Sequence, residues 1–161
     1  MGTQLAGSLV RELESSKEFF DRGTRALAEE DSSFVPEAGM MTAAQQVAHV
    51  AHTLDWFVQG MTRPEGFDLD FAAHAVEIAK VTSLKAAREW LDKAHKGVVT
   101  KVGRMTDEEL NVPLPAGPVM GGAPKLAVVG AISDHTAHHR GALSVYTRLL
   151  GKVPPMPYME M

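Results

Sequence analysis

The chain has 161 residues, 45% of them hydrophobic and 22% charged, and 16 basic against 20 acidic side chains leave a formal net charge of −4. That length suits one domain, residues 1–161, around a single packed core, and the composition excludes a disordered chain. No block of Lys or Arg forms a stripe able to neutralise a phosphate backbone, so nucleic acid is not an expected ligand, and no window reaches the roughly 18 apolar residues of a membrane span.

Leu5 to about Glu29 carries Leu5, Leu9, Leu13, Phe19, Phe20 and Leu27 at three- and four-residue spacing, which predicts a first helix. Its other side, with Glu12, Glu14, Lys17, Glu18, Asp21 and Arg22, is a solvated face. The stretch from Met1 to Glu14 lacks the basic flank and apolar run of a secretory signal, so a cytoplasmic location is expected. Asp31 to Met41 contains Pro36 and Gly39 and is a connection. The second helix starts near Thr42, whose hydroxyl suits the exposed amides of a first turn.

On the second helix Ala43, Val47, Val50, Leu54, Phe57 and Met61 define the buried stripe, with Gln45, His52, Asp55 and Gln59 opposite. His52 is therefore placed in water. His49 lies on the flank, roughly 100° from the centre of the stripe and near Trp56, and spacing leaves it open between a surface residue and an inward-turning ligand. Gly60 to Gly66, with Pro64, ends this helix.

From about Asp68 to Lys101 the pattern is helical again, with Phe71, Val76, Ile78, Leu84, Leu91 and Val98 among the core positions and a break possible at Thr82-Ser83. His74 and His95 have no companion at ligand spacing and default to surface or locally bonded roles. Thr106-Asp107-Glu108-Glu109 has the form of a capping box and predicts one short extra turn. The Pro- and Gly-rich run from Asn111 to Pro124 is a long connection, serving either as a pocket wall or as a plain crossover. Pro124 suits the first turn of a last helix, and Gly151 ends it.

That last segment, Leu126 to Leu150, places Val128, Ile132, His135, His139, Leu143 and Tyr146 on one side at roughly 100° per residue. Two imidazoles thus sit in a core stripe, one turn apart, the spacing by which a helix offers two nitrogens to one metal ion. Buried without a partner they are costly, and a divalent cation satisfies both. Cysteine is absent, so any metal must use His or carboxylate, and no disulfide or protein thiol nucleophile is available. Two histidines do not make a site; a third ligand must come from elsewhere. Four amphipathic helices in one small domain point to an all-α four-helix bundle, a fold that builds metal sites from side chains on facing helices.

The string Thr42-Ala-Ala-Gln-Gln-Val-Ala-His49-Val-Ala-His52-Thr, the string Asp134-His135-Thr-Ala-His138-His139-Arg140-Gly141-Ala-Leu143 and the ending Gly151-Lys-Val-Pro-Pro together resemble the DinB/YfiT-like superfamily of four-helix-bundle metalloproteins, over nearly the whole chain. The resemblance implies an up-down-down-up bundle and a divalent metal held by one histidine of the second helix and two of the last: His49, His135 and His139, with His138 the non-ligand of its pair. The Trp that often opens the family's second helix is missing, Gly39-Met40-Met41 standing in its place, so the pocket lining there is expected to differ.

Three neutral imidazoles leave the ion its full charge and an open position. Zn²⁺ or Ni²⁺ suits such a set, with Mn²⁺ and Fe²⁺ as further candidates. The superfamily includes thiol S-transferases and a thiol-dependent maleylpyruvate isomerase, so the resemblance implies first a metal-dependent S-transferase acting on a small molecule with a low-molecular-weight thiol. The alternatives are a metal-dependent hydrolase and a non-catalytic, stress-related metal-binding bundle. Asp134, Gln46, Asp55 and Tyr146 are the candidates to orient ligands or substrate, and a homodimer is expected over apolar surface at Phe71 and Trp90.

Overall fold

The computed structural model describes residues 2–160; the two terminal methionines of the expected 1–161 domain lie outside it. Six helices are formed: α1 (Gln4–Thr24), α2 (Ala43–Thr62), α3 (Phe71–Ala79), α4 (Leu84–Gly103), α5 (Asp107–Asn111) and α6 (Ala127–Leu149). Among the described residues there is no strand, only an isolated antiparallel bridge between Pro113 and Pro124, and no helix is long and apolar enough to cross a membrane.

Local chemistry sets the boundaries. Thr42 and Gln45 form a reciprocal capping box at the start of α2, the Thr42 hydroxyl accepting from the Gln45 amide and the Gln45 side chain accepting from the Thr42 amide. Thr106 and Glu109 repeat the device at α5. Gly151, with φ of +73°, supplies the left-handed residue that closes α6. One boundary differs from the sequence expectation, and the break left possible at Thr82-Ser83 is present. The first helix stops at Thr24, and Glu29–Asp31 forms a separate 3₁₀ turn. The predicted third helix is two helices, each with its own cap: Asp70 accepts from Ala73 at the start of α3, and Ser83 from Ala86 at the start of α4.

Cross-bonds fix the helix directions. Gly2 lies against the carbonyl of Gly103, and Arg88 at the start of α4 donates to the Thr24 carbonyl at the end of α1, so α1 and α4 run antiparallel. Ser133 donates to Glu12 and Arg140 packs on Gly23, making α6 parallel to α1. The Tyr146 hydroxyl, near the end of α6, reaches the Met41 carbonyl just before α2 begins, so those two oppose each other. Ser32 and Asp55 meet Leu84 and Trp90 in the same order, so α2 and α4 are parallel. The result is an up-down-down-up bundle of α1, α2, α4 and α6.

Its core joins Leu13 and Phe20 of α1, Val47 and Val50 of α2, Leu91 and Val98 of α4, and Ile132 and Leu143 of α6, all 2% exposed or less. Burial of each such side chain contributes about 1.5–3 kcal/mol. The parallel pair α2 and α4 cannot be joined by a tight turn, and the crossover between them carries α3 along the outside of the bundle. Of α3 only Ile78 is fully buried. The Asn111–Pro124 connection folds on itself instead, the Leu114 amide donating to Ala123 and Lys125 to Val112.

Candidate metal centre

The stripe on α6 turns His139 into the core, where it is 6% exposed, and leaves His135 half-buried one turn earlier. His49 arrives from the flank of α2, which faces α6 across the bundle. One ring nitrogen from each of His49, His135 and His139 lies within 4.8 Å of the other two. The Nε2 atoms of His49 and His135 stand 3.2 Å apart, and ring centroids are 4.5–5.0 Å apart throughout the trio.

Electrostatics keeps the rings neutral. Burial, and after it the neighbouring imidazoles, lowers the His135 pKa to about 4 and that of His139 to about 3; His49 is lowered for the same reason. Each ring therefore offers a lone pair. His139 is also fixed in orientation: its Nδ1 lies 2.6 Å from the Gln46 amide oxygen, so the Nδ1 proton is donated there and Nε2 is left free. Gln46 in turn donates to the Tyr146 hydroxyl at 3.3 Å, which donates to the Met41 carbonyl at 2.9 Å.

The donor set fits a divalent cation. The two Nε2 atoms of His49 and His135 face each other and can share at most one proton, whereas a cation between them would use both lone pairs; the Nδ1 atoms of the same rings are buried without a hydrogen-bond partner. Two nitrogens on one tetrahedral ion with bonds of about 2.0–2.1 Å stand about 3.3 Å apart, close to the separation of His49 and His135. His138 is exposed and stacks edge-on against His139.

Of the other residues singled out in the sequence, Gln46 and Tyr146 form the chain behind His139. Asp134 is exposed, and Asp55 accepts from the Trp90 indole at 2.8 Å, away from the trio. Trp90 is thereby drawn onto α2, while Phe71 remains 60% exposed. His95 is locally bonded to the Leu13 carbonyl.

His52 departs from expectation: its side chain is only 12% exposed, because α3 covers that side of α2. The ring stacks 4.6 Å from His74 of α3. A carboxylate stands behind each imidazole, Glu77 at 3.5 Å from His52 and Asp68 at 3.6 Å from His74. Burial lowers the His52 pKa, with His74 adding to the effect. The pattern of α2 alone describes only its bundle face; the signal for His52 was a third histidine-bearing segment able to fold over it.

Both pairs open on one cavity of about 530 Å³ between α2, α3 and the Gly39–Met41 segment. His49 and His135 line it, and so do His52 and His74. Met40, Met41, Trp56, Phe57, Phe71 and Ile78 supply the apolar wall. The Asn111–Pro124 connection takes no part in this lining, which agrees with the plain crossover of its two readings; the wall is provided by α2, α3 and Gly39-Met40-Met41.

A bundle whose facing helices bring three histidines together beside an apolar cavity is an architecture able to hold a metal ion, and comparison narrows the class. The sequence pattern of the DinB superfamily matches residues 13–143, and the chain belongs to that superfamily. Among solved structures it is similar to YfiT from Bacillus subtilis, described as a probable metal-dependent hydrolase with an unusual four-helix bundle topology, with TM-score 0.70 and 15% identity over 94% of this chain and 91% of that one. It is also similar to a DinB-like protein, YjoA, from Bacillus subtilis, with TM-score 0.64 and 16% identity over 96% of this chain and 99% of that one. Identities at this level speak for the fold. No curated protein sequence matches the chain.

Proposed function

We propose that this protein is a divalent-metal-dependent enzyme that hydrolyses a small molecule held in the α2–α3 cavity, with His49, His135 and His139 as the metal ligands. The observation that carries this reading is that His49 and His135 belong both to the trio and to the cavity lining, so an ion held by the trio would border the substrate space, and three protein ligands would leave it room for one more. A divalent ion there supplies Lewis-acid charge and makes a bound water or thiol more acidic. The chain's own residues supply the rest. Gln46 holds the His139 lone pair in place, the apolar wall excludes bulk water, and the imidazoles of His52 and His74, each backed by a carboxylate, stand in the same cavity as proton acceptors. The description of YfiT as a probable metal-dependent hydrolase is consistent with it.

Thiol transfer is the second reading, favoured by a specific feature: no Asp or Glu side chain lines the cavity. A thiol held by such an ion would be acidified enough for an imidazole such as His52 or His74 to take its proton, with no carboxylate required, and it would bring the nucleophile that a cysteine-free chain lacks. Turnover of generic ester and electrophile substrates, run with and without chelator and with and without added thiol, separates the readings. Chelator-sensitive turnover without thiol supports hydrolysis, chelator-sensitive turnover only with thiol supports transfer, and turnover indifferent to chelator removes both.

A further inference from the structure

The cavity's charge pattern carries information about what it binds. Its lining contains no Lys, Arg, Asp or Glu side chain; the polar groups are the imidazoles, Thr53 and Gln45. The carboxylates that meet its imidazoles are solvent-exposed and outside the lining, Glu77 at 3.5 Å from His52 and Asp68 at 3.6 Å from His74. An anionic group lying along this wall would lose its hydration, find no cation to pair with, and sit in the field of two carboxylates. A cationic group would be stripped of water with no carboxylate to touch. An uncharged apolar body meets neither cost.

The wall is also shaped for rings. Trp56 packs against Phe57, Phe67 and Phe71 at centroid separations of 5.2, 4.6 and 6.2 Å. The Trp56 indole proton is donated to the Asp68 carbonyl at 2.7 Å, so its polar edge is occupied and its apolar surface is what remains to contact a ligand. About 530 Å³ falls within the range of small-molecule sites. Of the four imidazoles in the lining, His49 and His135 belong to the trio and His52 and His74 pair with each other.

We infer that the cavity takes an uncharged, predominantly apolar substrate, aromatic or branched, whose single polar group reaches the histidine trio, and that it discriminates against substrates with a charged body. This rests on the proposed function, since the trio is the place the polar group must reach. It also constrains thiol transfer: a thiol bearing carboxylates finds no cation in this wall.

A matched pair of probes tests it, 2-naphthamide and 2-naphthoate, titrated calorimetrically into the full chain as purified and after chelation, with metal content measured on the same samples. In the chelated sample, where the carboxylate cannot ligate an ion, the amide should bind at least tenfold tighter. Ala75, exposed on α3 and part of the lining, accepts an arginine without disturbing the bundle; Ala75→Arg should reverse the preference in favour of the carboxylate by a similar factor while leaving metal content unchanged. Equal or tighter binding of the carboxylate by the unmodified chelated protein overturns the inference, and so does binding of neither probe at millimolar concentration. Pairing of two copies over Phe71, seen by sedimentation as a dimer that Phe71→Asp dissolves and that binds no probe, overturns it by assigning the groove to a second chain. Metal content keeps the two proposals apart: a metal-loaded protein without amide preference sinks the substrate class alone, and amide preference in a protein that takes up no metal sinks the metal centre alone.

Discussion

The Gln46 amide oxygen accepts a proton from His139 Nδ1 at 2.6 Å, and this one bond selects which nitrogen of His139 can face the other two rings. Gln46→Leu should therefore weaken divalent-metal affinity by about 10–100-fold, the usual effect of removing the partner of a ligating imidazole. Competition against a chromophoric chelator measures it. Gln46→Glu keeps the acceptor and should retain tight binding; equal affinity of the Leu variant and the wild type would show that the bond is irrelevant to the metal.

The trio itself predicts stoichiometry. Protein purified without chelator should hold close to one divalent ion per chain by elemental analysis. Substitution of His49, His135 or His139 by Ala should lower occupancy far more than substitution of His52 or His138. The comparison between His49 and His52 is the sensitive one, because they lie one turn apart on α2 and only His49 is within reach of α6. Loss of metal from His52→Ala but not from His49→Ala would contradict the assignment.

Acid sensitivity has a definite sign. The folded-state pKa values of His135 and His139, about 4 and about 3, lie below the unfolded value of about 6.5. The unfolded chain therefore binds more protons between those limits, and stability is full above about pH 6.5 and falls as pH drops toward 4 and then 3. Thermal melts of chelated protein should show this decline, and His139→Leu should flatten part of it. Because protons reach these rings only at low pH, the extra stability given by metal should persist to about pH 5 and vanish toward pH 4, lower than free imidazoles would imply. Identical melts with and without chelator at neutral pH would remove the metal centre.

Gly60 is a packing site. A Cβ built there meets the Phe67 ring at 2.2 Å, so Gly60→Ala must push Phe67 off its contact with Trp56. Destabilisation of about 1–3 kcal/mol is expected, with a shift in tryptophan fluorescence. Chemical denaturation measures the first, and an unchanged midpoint would show that Phe67 has room to move.

What the sequence made legible follows the bundle. His135 and His139 were placed by the period of α6, because that helix faces the core and its stripe is read directly as burial. Family resemblance and the flank position of His49 pointed to the same ring that the structure brings beside them. The split between α3 and α4 was less visible: no Gly or Pro marks Lys80–Ser83, and the apolar spacing continues through it. Yet the apolar side chains before and after the break serve different surfaces, Phe71 and Ile78 the cavity and Leu91 and Val98 the core. Periodicity reports that a side chain avoids water, not which neighbour shields it, and so it places His52 in water and leaves His74 between a surface and a locally bonded role.

The crossover that carries α3 also separates two kinds of constraint. The helices holding the histidine trio are locked by a shared core, whereas α3 commits a single fully buried side chain, Ile78, to the fold. Substitutions at Phe71, His74, Ala75 or Ala79 reshape the cavity while subtracting little from the folding free energy. Mutational drift can therefore rewrite what the pocket accepts and leave the half of the molecule that holds the histidine trio intact, so that chains of this architecture can share a frame and diverge in what they accept.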